Sequence, residues 1–190
     1  MSVAYELHTG PWTVADVLDL PEDTRNRIEL VGGSLMMSPA PGVPHQRASR
    51  RLSGLLEQAV VLVGAPLEVL EAVNVVVPDG LLIPDLALVD AAAAAEAELT
   101  VNAHDVLAVV EIASPSTRVT DQKVKPALYA GAGIAHYWRV ELKPVPRIHF
   151  GVLRGTGYVD QALAQVGQST RIEMPFPFEI DPAQLAARSA

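Results

Sequence analysis

The chain has 190 residues, 49% of them hydrophobic and 19% charged, and its 14 Lys and Arg against 22 Asp and Glu give a formal net charge of −8. This is enough for one domain, residues 1–190, with a real core; it argues against disorder, and no apolar run is long enough to span a membrane. The absence of cysteine excludes disulfides and thiolate metal sites, so a metal would need oxygen or imidazole ligands, and the acidic balance is unfavourable to non-specific nucleic-acid binding.

The opening MSVAYELHTG shows no basic segment followed by an apolar run, and a cytoplasmic location is the expectation. TVADVLDLPEDT predicts a short helix capped by Thr13 and closed by Pro21, and RIELVGGSLMMSP predicts a hairpin turning at Gly32-Gly33. From His45 to Val60, the residues Leu52, Leu55, Leu56 and Ala59 recur at helical spacing. Arg47, Arg50 and Arg51 stand between them, either as a local basic stripe for nucleic acid or as an ordinary solvated helix face. Three strand-like runs follow, LEVLEAVNVVVP, IPDLALVD and VLAVVEIAS, with an alanine tract between the last two. After SPST comes a helix over about residues 121–132, then strands in HYWRVE, RIHFGVL and GYVDQALAQ, and a short helix from Asp181-Pro182. A helix between VVEIAS and HYWRV points to an α/β chain of mixed α+β type, with a central mixed sheet flanked by helices.

Two strands carry an acid at one end: Asp85 precedes LALV, and Glu111 follows LAVV. If the strands are neighbours, both carboxylates face one cleft, where repulsion and desolvation demand a cation between them. Two hard oxygen ligands with open water positions describe a Mg²⁺ site, for which Mn²⁺ can substitute. The alternative is a turn cap at Asp85 and an arginine pair at Glu111. Glu29 is a third candidate, although alternation along the hairpin would equally leave it exposed. His45, at the start of the long helix, could touch a phosphate or assist a proton transfer, or be an exposed first-turn histidine.

The segments RIELVGGSLMMSPAP, HQRASRRLSGLLE, PDLALV and VVEIASPSTRVTDQKVKPALYAGAGIAHYW resemble, in order and spacing, the Uma family of putative restriction endonucleases in the PD-(D/E)xK nuclease superfamily. The resemblance runs over roughly residues 10 to 185 and implies a restriction endonuclease-like fold. It also implies a Mg²⁺-dependent phosphodiesterase acting on DNA, with Asp85 and Glu111 as metal ligands, Glu29 assisting and a lysine facing the attacking water.

In the superfamily the lysine stands two residues after the glutamate, a position held here by Ala113. The Uma spacing D-x-x-x-K-x-x-x-Y moves the role to Lys125, one helical turn from Asp121 and from Tyr129. Pro126 disturbs the helix beside it and leaves Lys123, nearly opposite on a helix, as the substitute. His136 occupies a position where the family often has an acid. The displaced lysine keeps open an alternative, a non-catalytic interaction module retaining the nuclease fold, and a smaller phosphate ester is a further substrate class. A homodimer is the simplest way to cut both strands of a duplex.

Overall fold

The computed structural model describes residues 8–21, 23, 25–114 and 120–187, with the backbone alone at 120 and 121. The serine- and threonine-containing part of SPST at 115–117 and the Asp121 side chain therefore lie outside the described residues. The predicted N-terminal helix is α1 (Val14–Leu18), capped by a reciprocal box in which Thr13 accepts from the Asp16 N–H and the Asp16 carboxylate accepts from the Thr13 N–H. The hairpin is β1 (Asn26–Val31) and β2 (Ser34–Pro39), joined through Gly32 and Gly33 at φ 55° and 76°, the left-handed pair that a tight two-residue turn requires. The long helix α2 (Val43–Val63) starts with a proline in its first turn and stops at Gly64 in the left-handed conformation.

The run LEVLEAVNVVVP is two strands rather than one: β3 (Leu67–Glu71) and β4 (Asn74–Val77) belong to different sheets. Between them Ala72 takes φ 52°, so the break carries neither of the usual Gly or Pro signals. Next come β5 (Gly80–Leu82), β6 (Leu86–Asp90), and α3 (Ala91–Glu96), whose amides at Ala92 and Ala93 donate to Asp90 Oδ1, so the alanine tract is helical. A three-residue strand not expected from sequence, β7 (Thr100–Asn102), precedes β8 (Val106–Ala113). A wide helical turn over residues 120–124 leads into α4 (Lys125–Gly131), followed by β9 (His136–Glu141), β10 (Arg147–Arg154), β11 (Gly157–Gln165), β12 (Thr170–Ile172) and β13 (Phe178–Ile180). The C-terminal helix is a single 3-10 turn, Pro182–Leu185.

The described strands form three sheets, with the expected central mixed sheet among them. A six-stranded sheet runs β11-β10-β9-β8-β6-β3, a five-stranded sheet β2-β1-β5-β4-β7, and β12 pairs with β13. The six-stranded sheet is the middle layer, and its pairs are antiparallel except β8 with β9, whose crossover contains α4. One of its faces carries Leu86, Leu88, Val110, Ile112, Trp138 and Val140, packed against Leu52 and Leu56 of α2. The other carries Ala87, Val89, Val109 and Tyr137, packed against Val75, Val77 and Leu82 of the five-stranded sheet and Tyr129 of α4. The chain is thus a mixed α+β fold with helix, sheet and sheet in layers. That second sheet is what brings β1, and with it Glu29, to the middle layer.

The junction depends on a close approach. Gly80 sits opposite Val31, and a Cβ added to it would lie 1.9 Å from the Leu30 carbonyl oxygen. Gly80→Ala is expected to push β5 from β1 and to lower stability by about 1–3 kcal/mol, the usual range for overpacking, read from the urea midpoint.

Candidate functional site

Asp85 immediately precedes β6, and the β6–β8 register pairs Leu86 with Val110, so one further step sets Asp85 opposite Glu111. The ladder continues through the side chain: the Ile112 N–H donates to Asp85 Oδ2 at 2.7 Å. Both acids are nearly sealed from solvent, at 4% and 2% exposure. Asp85 Oδ1 accepts from Arg27 Nη1 at 2.8 Å, and His45 Nε2 lies 2.9 Å from Oδ2. Burial alone would raise the Asp85 pKa; His45, the Arg27 charge and the Ile112 amide outweigh it and hold the carboxyl below its ordinary range.

Glu29 is buried, not exposed as simple hairpin alternation allows, at 2%. Its Oε1 accepts from the Ile83 N–H at 2.7 Å and lies 2.9 Å from Lys125 Nζ. The same ammonium donates to Glu111 Oε1 at 2.9 Å, and the Tyr129 hydroxyl donates to that oxygen at 2.9 Å. Lys125 and Tyr129 are four apart on α4, one helical turn, which is why both reach a single carboxylate oxygen. Pro126 falls in the first turn of α4, where a missing N–H is tolerated, and the wide helical turn over residues 120–124 runs directly into it. Lys125 is buried while Lys123 is exposed, and of the two lysines it is Lys125 that touches the acids.

The electrostatics follow from these contacts. Burial would lower the Lys125 pKa, but the charges of Glu111 and Glu29 override it and raise the ammonium above the ordinary lysine range. Burial together with the Glu111 charge pushes the Tyr129 phenol well above its ordinary value, so it remains a donor at neutral pH. Three carboxylates, Asp85, Glu29 and Glu111, thus share two fixed cations, Arg27 and Lys125, with His45 against Asp85.

Sequence reasoning missed Arg27. Arg27 and Glu29 are two apart on β1 and so share its face, an Arg-x-Glu spacing that was visible once the strand was assigned. Three expected contributors lie elsewhere. At about 100° per residue, Arg47, Arg50 and Arg51 sit roughly 140° to 240° around α2 from His45, on the far side from the acids. Arg51 moreover donates to the carbonyls of Gln184 and Ala186, so it anchors the C-terminal turn. His136 is three residues before Arg139, the β9 partner of Glu111, and therefore lies on the opposite face of the sheet.

Two buried carboxylates at facing register are oxygen ligands of the kind a small hard cation takes. Among the described residues no group of three or more His, Asp or Glu is placed to hold a metal ion, so a cation here would rest on the two facing carboxylates. Beside the acids opens a cleft of about 400 Å³, lined by Gly42, Pro44 and His45 on one side and Ala113, Glu141 and Lys143 on the other.

A family model described as "Uma2: Putative restriction endonuclease" matches residues 14–186. The fold is similar to the crystal structure of "a putative nuclease belonging to DUF820 from Anabaena variabilis", with a TM-score of 0.70 and 15% sequence identity, covering 92% of this chain and 97% of that one. No curated protein sequence matches the chain. No helix among the described residues is long and apolar enough to cross a membrane.

Removing the buried cation from between two acids is costly. Lys125→Met is expected to lower stability by about 3–5 kcal/mol at pH 7, and Lys123→Met by no more than about 0.5 kcal/mol. Urea midpoints of the two variants against the wild type at pH 7 read the difference.

Proposed function

We propose that this chain, which belongs to the Uma2 family, is a divalent-metal-dependent DNA endonuclease, with Asp85 and Glu111 as the metal ligands and Lys125 and Glu29 completing the catalytic group. The observation that carries this reading is the convergence of three acids and one buried ammonium, drawn from β1, β8, α4 and the start of β6, beside an open cleft. A salt bridge of purely structural use would not need a third buried acid at facing register, itself held by an arginine and a histidine.

Mg²⁺ held by Asp85 and Glu111 would lower the pKa of a bound water and offset charge growing on the phosphoryl oxygens. The side chains do the positioning. Lys125, held charged by Glu111 and Glu29, orients the nucleophile and offers its positive charge to the phosphate. Glu29 fixes the ammonium from behind, with Oε1 itself pinned by the Ile83 amide. Tyr129 stays protonated and pins the Glu111 Oε1 atom, so this carboxylate cannot swing away from Asp85. Arg27 and His45 hold Asp85 in the same manner from the other side. Two copies related by a twofold axis would cut both strands of a duplex.

The test is conversion of supercoiled plasmid to nicked and linear forms in Mg²⁺, with EDTA as the control. Lys125→Ala and Glu111→Gln are each expected to reduce the rate at least about 100-fold, the scale of losing one stabiliser of transition-state charge, while Lys123→Ala keeps wild-type activity. Equal activity in Lys125→Ala and wild type removes the catalytic lysine. No cleavage of plasmid or single-stranded DNA by the wild type favours the interaction-module reading.

A further inference from the structure

The acidic composition and the reversed position of the α2 arginines raise the question of where a polyanion would meet this molecule. One place concentrates positive charge beside the site. Across the middle sheet Glu111 is the register partner of Arg139, and Arg139 of His149, so the three form a row on one face. One row nearer the strand ends, Ala113 pairs with Glu141 and Glu141 with Arg147. Glu141 Oε1 accepts from Arg139 Nε at 3.2 Å, and Oε2 accepts from Arg147 Nε at 2.7 Å. Gln122, in the turn leading to α4, lies 3.4 Å from the same carboxylate. Lys143 is exposed two residues further on, and Glu141 and Lys143 line the same cleft as His45.

Two arginines thus flank one buried carboxylate and Lys143 stands two residues further on, a local positive excess in a chain of net charge −8. Arg139 and Arg147 are 21% and 42% exposed, so their guanidinium groups reach solvent while Glu141 splints them from beneath. Two guanidinium groups held in place by a carboxylate beneath them, next to the cleft that Glu141 and Lys143 line, form the kind of fork that binds phosphate with parallel hydrogen bonds.

We propose that Arg139, Lys143 and Arg147 form the subsite that takes backbone phosphates of DNA next to the one at Asp85 and Glu111, so that the strand runs across the ends of β8, β9 and β10 and not along α2. Glu141 is a positioning residue that aims the two guanidinium groups. The proposal rests on the nuclease reading above, and it adds the direction in which the substrate lies.

The experiment is fluorescence anisotropy of a short labelled DNA duplex with the full chain, in EDTA so that nothing is cut, over a series of salt concentrations. Each phosphate contact adds about 0.9 to the slope of log affinity against log salt. Arg139→Gln/Arg147→Gln is expected to lower that slope by about 2 and Lys143→Ala by about 1, uniformly across DNA sequences, while Arg171→Ala on β12 leaves it unchanged. Circular dichroism checks folding; if the double variant does not fold, the exposed Lys143→Ala decides alone. A wild-type slope in folded Arg139→Gln/Arg147→Gln or in Lys143→Ala overturns the subsite, as does a loss of slope confined to Arg47→Ala/Arg50→Ala. If the wild type cuts plasmid but these slopes do not move, only the subsite fails; if it neither binds nor cuts DNA, the nuclease reading fails and the subsite with it.

Discussion

The Lys125 ammonium is bonded at 2.9 Å to Glu29 and at 2.9 Å to Glu111, and those three residues come from three separate elements, α4, β1 and β8. Burying any one of them without the others would cost several kcal/mol, because an unpaired charge in a protein interior forfeits its hydration. The hairpin has to lie on the middle sheet, and α4 has to start where it does, for the charges to be matched. The apolar residues around them fill the space between layers, but Val, Leu and Ala contacts alone tolerate sliding. The ionic contact fixes register, which is the use for which buried ion pairs are best attested.

The same contact explains how a chain with Ala113 where a lysine is expected can still present an ammonium to the site. The strand position faces the cleft from β8, and α4 packs on that same face through Tyr129. A lysine on the first turn of that helix reaches the glutamate from the side, and Tyr129 one turn later secures the carboxylate oxygen it has reached. Moving the lysine from strand to helix relocates the Cα and keeps the charge. Arg27 plays the corresponding part at Asp85, so each of the two facing acids carries its own fixed cation. A divalent ion entering between them would find the repulsion already partly offset.

Much of this was legible in the sequence where a residue violated a local pattern. A carboxylate at the end of an apolar strand stands out against its neighbours, which is why Asp85 and Glu111 could be named, and the spacing of Lys125 and Tyr129 placed them on one helix face. Glu29 and Arg27 were harder, since alternation along a hairpin shows that they share a face and does not show that a second sheet buries it. The division of the strands into separate sheets was hidden for a related reason. Its break at Ala72 uses a left-handed residue that is neither Gly nor Asn, and β7 is only three residues long. The arginines of α2 misled because helical periodicity gives a face but not the direction of the site, whereas Arg139 and Arg147 become neighbours only through strand pairing.

Metal binding is where the geometry and the chemistry meet, and calorimetric titration of the full chain with Mg²⁺, repeated with Mn²⁺, tests it most directly. If Asp85 and Glu111 hold the metal, the wild type binds either ion saturably and Asp85→Asn loses that binding, with Lys123→Ala unchanged. Saturable binding that survives in Asp85→Asn, or no binding by the folded wild type, would contradict the assignment of Asp85 and Glu111 as the metal site.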